Sequence, residues 1–155
     1  LKIKIKRLKN LMEERKEIEE IIKKGADKLF RREIEILTSI PGIAKESAIY
    51  FMAEVVDIRR FPNKAKLIGF CGLDPVIKQS GNYKGHFKIS KRGNSHTRRI
   101  AFIMAGCVKR SCPQFREYYL KKRAEGKSYK EAVIATSTKL LRTVYSLLKE
   151  DRLFK

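Results

Sequence analysis

The sequence predicts a mainly α-helical domain with one small β-hairpin, preceded by a long coiled-coil-like helix. Three observations carry that class. Apolar residues recur at helical spacing along most of the chain, and the period changes only after Gly72-Leu73-Asp74-Pro75. Turn and cap signals separate the helical runs. The apolar fraction of 43% over 155 residues supplies one core, enough for one domain.

The first element runs from Leu1 to about Phe30 and is rich in Lys, Glu and Ile. Leu1, Leu8, Ile22 and Leu29 fall seven or fourteen apart, and Leu11 with Ile18 fills a second stripe, interrupted by Arg15 and Gly25. That spacing suits a coiled-coil arm over residues 1–33, or an amphipathic helix packed on its own chain. Residues 34–155 then form the body. Its first segment, Glu35 to Ala44, holds a short helix and a Pro41-Gly42 turn, and a second helix follows from Lys45 to Val56. This order is helix-hairpin-helix-like, with Ala44 where such turns usually carry a second glycine. A turn of this kind aims backbone N–H groups at a phosphate, with Gly42 allowing the approach, or else is an ordinary helical corner.

Pro62 suits the start of a short helix, Lys64 to Phe70. Two strands follow, Val76 to Gln79 and His86 to Ile89, joined by a loop from Ser80 to Gly85 with hairpin composition. Three apolar helices close the chain. Asn94 or Ser95 caps the first, which runs to about Arg110. The second follows Pro113 and reaches about Ala124. Ser128 with Glu131 three residues later forms a capping box for the last, to about Leu148.

Charge narrows the function. The chain carries 37 Lys and Arg against 17 Asp and Glu, a formal net charge of +20. Small soluble domains keep to about 2–8. Such an excess repels itself unless a polyanion is the partner. A folded, basic, core-bearing domain is read first as a nucleic-acid binder. No acidic residue lies between Asp74 and Glu117, while ten basic ones do: Lys78, Lys84, Lys88, Lys91, Arg92, Arg98, Arg99, Lys109, Arg110 and Arg116. Solvated faces mix both signs, so this stretch reads as a phosphate-binding surface. Tyr83 and Phe87 within it suit hairpin packing better than base stacking.

Other classes find little support. Cys71, Cys107 and Cys112 form no Cys-x-x-Cys pair and, with two histidines, give no zinc spacing. No metal site is expected here. An odd number of cysteines without a framework fits buried thiols in a reducing cytoplasm. No apolar run spans a bilayer and no signal peptide is visible, so no membrane partner is expected. Because the chain opens on Leu1 rather than Met, it is read as a piece of a longer protein with further sequence upstream.

Two residue groups in the acid-free window suit chemistry. One is Gln79-Ser80-Gly81. The other is Ser90 to Arg99, a Gly93 turn running into a helix N-terminus whose N–H groups could join Lys91, Arg92, Asn94 and Arg98 in clamping a phosphodiester. A serine facing such a clamp could attack phosphorus, whereas Ser-Gly alone is more commonly a turn.

These residues also carry a resemblance. Ile40-Pro41-Gly42, Phe61-Pro62, Gly72-Leu73-Asp74-Pro75, Gln79-Ser80-Gly81, Ile89 to Asn94 and Arg98-Arg99 are similar, in order and spacing, to the C-terminal serine-containing domain of one transposase family. It is the family founded by insertion sequence one-hundred-and-ten, with its eleven-eleven branch. Gly126-Lys127, Ala132-Val133 and Lys139 to Arg142 resemble its closing helix, so the likeness covers about Ile34 to Glu150. His96-Thr97 departs from the apolar residue more usual there. The resemblance implies a DNA recombinase, in some members guided by a structured RNA. It implies an upstream ribonuclease-H-like domain whose four acidic residues hold a divalent metal such as magnesium, and it maps the serine nucleophile to Ser80. The coiled-coil-like helix adds the expectation of a homo-oligomer. Two other readings compete: a non-catalytic helix-hairpin-helix nucleic-acid-binding module, and a dimerisation scaffold.

Overall fold

A computed structural model describes residues 1–76, 79–80, 83–84 and 88–155, with 79–80 and 83–84 described by backbone alone. Helix α1 spans Lys2–Leu29. At 1.5 Å per residue it is about 42 Å long, and Ala26 is its buried residue. The apolar stripe found in the sequence stays uncovered: Leu8, Leu11, Ile18, Ile22 and Leu29 are all exposed. The stripe therefore does not pack on its own body, as one of the two readings required.

Helix α2 (Arg31–Thr38) buries Ile34, Ile36 and Leu37. It stops where Thr38 Oγ1 and Ser39 Oγ donate back to the carbonyls of Ile34 (2.8 Å) and Ile36 (2.6 Å), just before Pro41. Helix α3 (Lys45–Val55) is more deeply buried, through Ala48, Ile49, Phe51, Met52 and Val55. A single 3-10 turn, Ile58–Arg60, follows, which the sequence reading left out. Asp57 accepts the N–H of Arg59 at 2.8 Å, and this bond holds the carboxyl below its ordinary range.

Helix α4 spans Lys64–Phe70, the bounds expected from the sequence. Asn63 is the cap, its carboxamide oxygen accepting from Lys66 N–H at 3.0 Å.

Strand β1 (Pro75–Val76) pairs antiparallel with β4 (Lys88–Ile89), Pro75 opposite Ile89. Strands β2 (Gln79–Ser80) and β3 (Tyr83–Lys84) pair antiparallel, Ser80 opposite Tyr83. Pairing thus continues into the segment expected to be loop, and Ser80, Tyr83 and Lys84 belong to strands. Ile77, Lys78, His86 and Phe87 lie outside the described residues.

Helix α5 (Ser95–Ser111) is capped by Asn94, and α6 (Pro113–Ala124) opens on its proline. Helix α7 (Tyr129–Lys149) carries both bonds of the Ser128–Glu131 capping box. Helix α5 packs on α3, α6 and α7, and α4 packs on α7. Phe51, Met104, Phe115, Leu140 and Leu141 fill this core. The buried Tyr145 hydroxyl donates to Phe61 carbonyl (3.0 Å), fixing α7 to the approach of α4. Among the described residues no helix is long and apolar enough to cross a membrane.

Candidate nucleic-acid interface

The hairpin leaves and rejoins the helical body through two segments that interlock. One is the Gly72–Asp74 turn after α4, the other the Ser90–Asn94 turn before α5. Ser90 N–H donates to Asp74 carbonyl (2.9 Å), Lys91 N–H to Gly72 carbonyl (3.1 Å) and Asn94 N–H to Phe70 carbonyl (2.7 Å). The chains approach so closely that only glycine fits at the crossing. A Cβ on Gly93 would lie 2.1 Å from Phe70 O and 2.4 Å from Gly72 N. Gly72 sits at φ +64, and its own Cβ would meet Gly93 N at 2.8 Å. The side chains add a clasp. Ser90 Oγ donates to Asp74 Oδ1 at 2.6 Å and accepts Arg92 N–H at 3.4 Å. The glycines and turn residues singled out in the sequence thus form one frame at the base of the hairpin.

That frame continues into α5. Asn94 Oδ1 accepts from the N–H groups of His96 (2.8 Å) and Thr97 (3.0 Å). Its Nδ2 donates to Glu54 Oε2 on α3 at 2.7 Å. The cap therefore takes two of the backbone donors that a clamp at this terminus would use. Arg98 is half-buried, and its Nη1 donates to the carbonyls of Cys71 (3.2 Å) and Gly93 (3.4 Å). Burial pushes the neighbouring Cys71 thiol up to about 12, with the Arg98 charge opposing the rise.

The remaining predicted contacts divide by position. Lys88, Lys91, Arg92 and Arg99 are exposed. Lys91 takes the left-handed φ of +55. Ser80 and Lys84 are placed in strands by their backbone, and Lys78 lies outside the described residues. Gly42, at φ +99, faces α5: a Cβ there would come within 3.0 Å of the backbone at Cys107 and Val108. Packing alone accounts for that glycine. Ala44 caps α3 without a side-chain bond, and Glu46 stands in that first turn.

Sequence reasoning missed Glu54 and the Asp74–Ser90 clasp, because each acts across 16 or more positions of chain. Among the described residues no group of three or more His, Cys, Asp or Glu side chains could hold a metal ion.

A family model described as the transposase IS116/IS110/IS902 family matches residues 34–120. An uncharacterized 42 kDa protein of insertion element IS900 from Mycobacterium paratuberculosis is 31% identical over 124 residues, which are 79% of this chain and 31% of that protein. The pilin gene-inverting protein of Moraxella bovis is 28% identical over 77% of this chain and 38% of its own length. The transposase for insertion sequence element IS1111A of Coxiella burnetii is 29% identical over 76% and 33%. The chain spans about a third of the length of the curated relatives it matches.

Proposed function

Because this chain belongs to the IS116/IS110/IS902 transposase family, we propose that it forms the DNA-binding and catalytic C-terminal part of a recombinase, with Ser80 as nucleophile. One observation carries the reading most. The frame around Gly72 and Gly93 anchors both ends of the Ser80 hairpin, and exposed Lys91, Arg92 and Arg99 follow it in a stretch of sequence with no acidic residue. Cations so placed would hold a strand's phosphates and offset charge on the equatorial oxygens as the serine attacks.

In the step itself Ser80 Oγ bonds to phosphorus, the bond from phosphorus to the leaving strand's oxygen breaks, and that oxygen takes up a proton. The serine proton passes to a base supplied by the longer protein. The phosphoserine is resolved when a strand hydroxyl attacks in turn. A divalent metal such as magnesium would belong to an upstream acidic domain. A structured guide RNA would share the basic surface, and the work would take place in the cytoplasm.

The test is Ser80→Ala in the longer recombinase, with covalent trapping on DNA. The expected result is loss of the protein–DNA adduct and of strand exchange with DNA affinity nearly unchanged. An adduct that survives, or one mapped to Ser90 or Ser95, overturns the assignment.

The non-catalytic binding module is the second reading. It is favoured because Asn94 and Arg98, expected in a phosphodiester clamp, hold the protein's own backbone instead. Wild-type strand exchange by Ser80→Ala, Ser90→Ala and Ser95→Ala alike would select it.

A further inference from the structure

A cleft of about 380 Å³ opens where the base of the hairpin meets α6 and α7. Its size falls in the range of about 300–1,000 Å³ typical of small-molecule sites. Pro75 and Ile89 form one wall, and Ile134 and Ala135 form the other. The rim is cationic: Lys88 from β4, Lys127 from the α6–α7 turn, Lys139 and Arg142 from α7. Among the described residues these four take part in no ion pair, whereas Lys122 beside them is paired with Glu125 at 2.8 Å. Lys139 is held in position, its Nζ 4.5 Å from the centre of the Tyr118 ring. The acid of the cleft, Glu131, accepts Ser128 N–H at 2.8 Å as part of the capping box.

An aliphatic interior with cations around its mouth matches a group with an apolar face and an anionic attachment. Nucleotides have that form. The cleft also shares the hairpin with Ser80: the chain from Pro75 to Ser80 spans at most about 18 Å. We propose that this cleft holds one unpaired nucleotide of the DNA strand engaged at the hairpin. Its base packs between Ile89 and Ile134, and its phosphates lie under Arg142 and Lys88. The proposal rests on the DNA-binding reading above. A base inside a duplex cannot enter such a cleft without leaving its stack, so the site selects unpaired or extrahelical positions.

Binding of this 155-residue chain to labelled DNA separates the two claims. The probes are a perfect duplex and the same duplex with one bulged nucleotide. The expected result is about tenfold tighter binding of the bulged duplex, equivalent to about 1.4 kcal/mol. Ala135→Leu, which fills the cleft without changing charge, should abolish that preference and leave affinity for perfect duplex intact. Should Ala135→Leu fail to fold, Arg142→Gln, on an exposed side chain, should lower the preference at unchanged stability. Equal affinity of the wild type for both DNAs overturns the cleft proposal while leaving DNA binding standing. A preference that survives both variants also overturns it. Failure to bind either DNA at low salt removes the DNA-binding reading itself.

Discussion

Gly93 and Gly25 differ only in where they sit, and that difference is measurable. A Cβ on Gly93 would enter the van der Waals space of three backbone atoms, which side-chain motion cannot relieve. Gly93→Ala should therefore cost about 3 kcal/mol or more, at or above the upper end for overpacking. Gly25, in α1, has nothing within 4 Å, so Gly25→Ala should stabilise the helix by up to about 1 kcal/mol. Urea unfolding of both variants checks the pair, and similar effects would remove the argument for a glycine-locked frame. Cys71 supplies a second test. Its folded thiol titrates at about 12, above the ordinary value near 9. The thiol thus favours the fold at neutral pH, and its contribution is lost as pH rises from about 9 to 12. Wild type should lose more stability between pH 9 and 11 than Cys71→Ala does. At this scale the sequence revealed which glycines and turn residues matter. It did not reveal what they touch, because Gly72 meets Gly93, and Asn94 meets Glu54, across segments with no local signal.

Helix boundaries were largely legible, because caps are local chemistry. Ser128 and Glu131 are three residues apart, and Pro113 opens its helix as its missing N–H allows. The choice between Asn94 and Ser95 was not legible, since both suit a cap; the bonds to His96 and Thr97 select Asn94. Asn94→Ala should cost more than the usual 0.5–2 kcal/mol of a lost cap, since Glu54 also loses its donor, whereas Ser95→Ala should be close to neutral. Thermal unfolding that ranks them the other way would reject this. For α1 the periodicity was visible, but its apolar stripe finds no cover among the described residues. Leu8, Leu11, Ile18 and Ile22 are uncovered, and an apolar stripe of that length is stable in water only when another surface takes it up. The chain is expected to self-associate through α1, and removal of residues 1–24 should give a folded monomer. Sedimentation of the intact chain as a monomer at high concentration would count against it.

Across the whole molecule, the net charge of +20 sets how the chain should respond to salt, and the frame sets which cations take part. Displacement of counterions from about 6–10 phosphates would cost roughly 10³–10⁵ in affinity between 50 and 200 mM salt. The sequence treated the window from Lys78 to Arg116 as one surface. The structure divides it, because exposure follows the fold and not the count of charges. Lys91, Arg92 and Arg99 are exposed, whereas Arg98 turns back to the carbonyls of Cys71 and Gly93. That division gives opposite signatures to adjacent arginines. Arg99→Ala and Arg92→Ala should each reduce the slope of log affinity against log salt by about 0.9, the share of one phosphate, with stability unchanged. Arg98→Ala should instead lower the unfolding temperature, because two carbonyls at the crossing lose a charged donor, and the variant that remains folded should keep nearly the wild-type slope. Salt titrations of duplex binding, run beside thermal melts, read both quantities on the same proteins. A slope loss for Arg98→Ala equal to that of Arg99→Ala, without loss of stability, would mean that Arg98 faces the nucleic acid and that the frame stands without it.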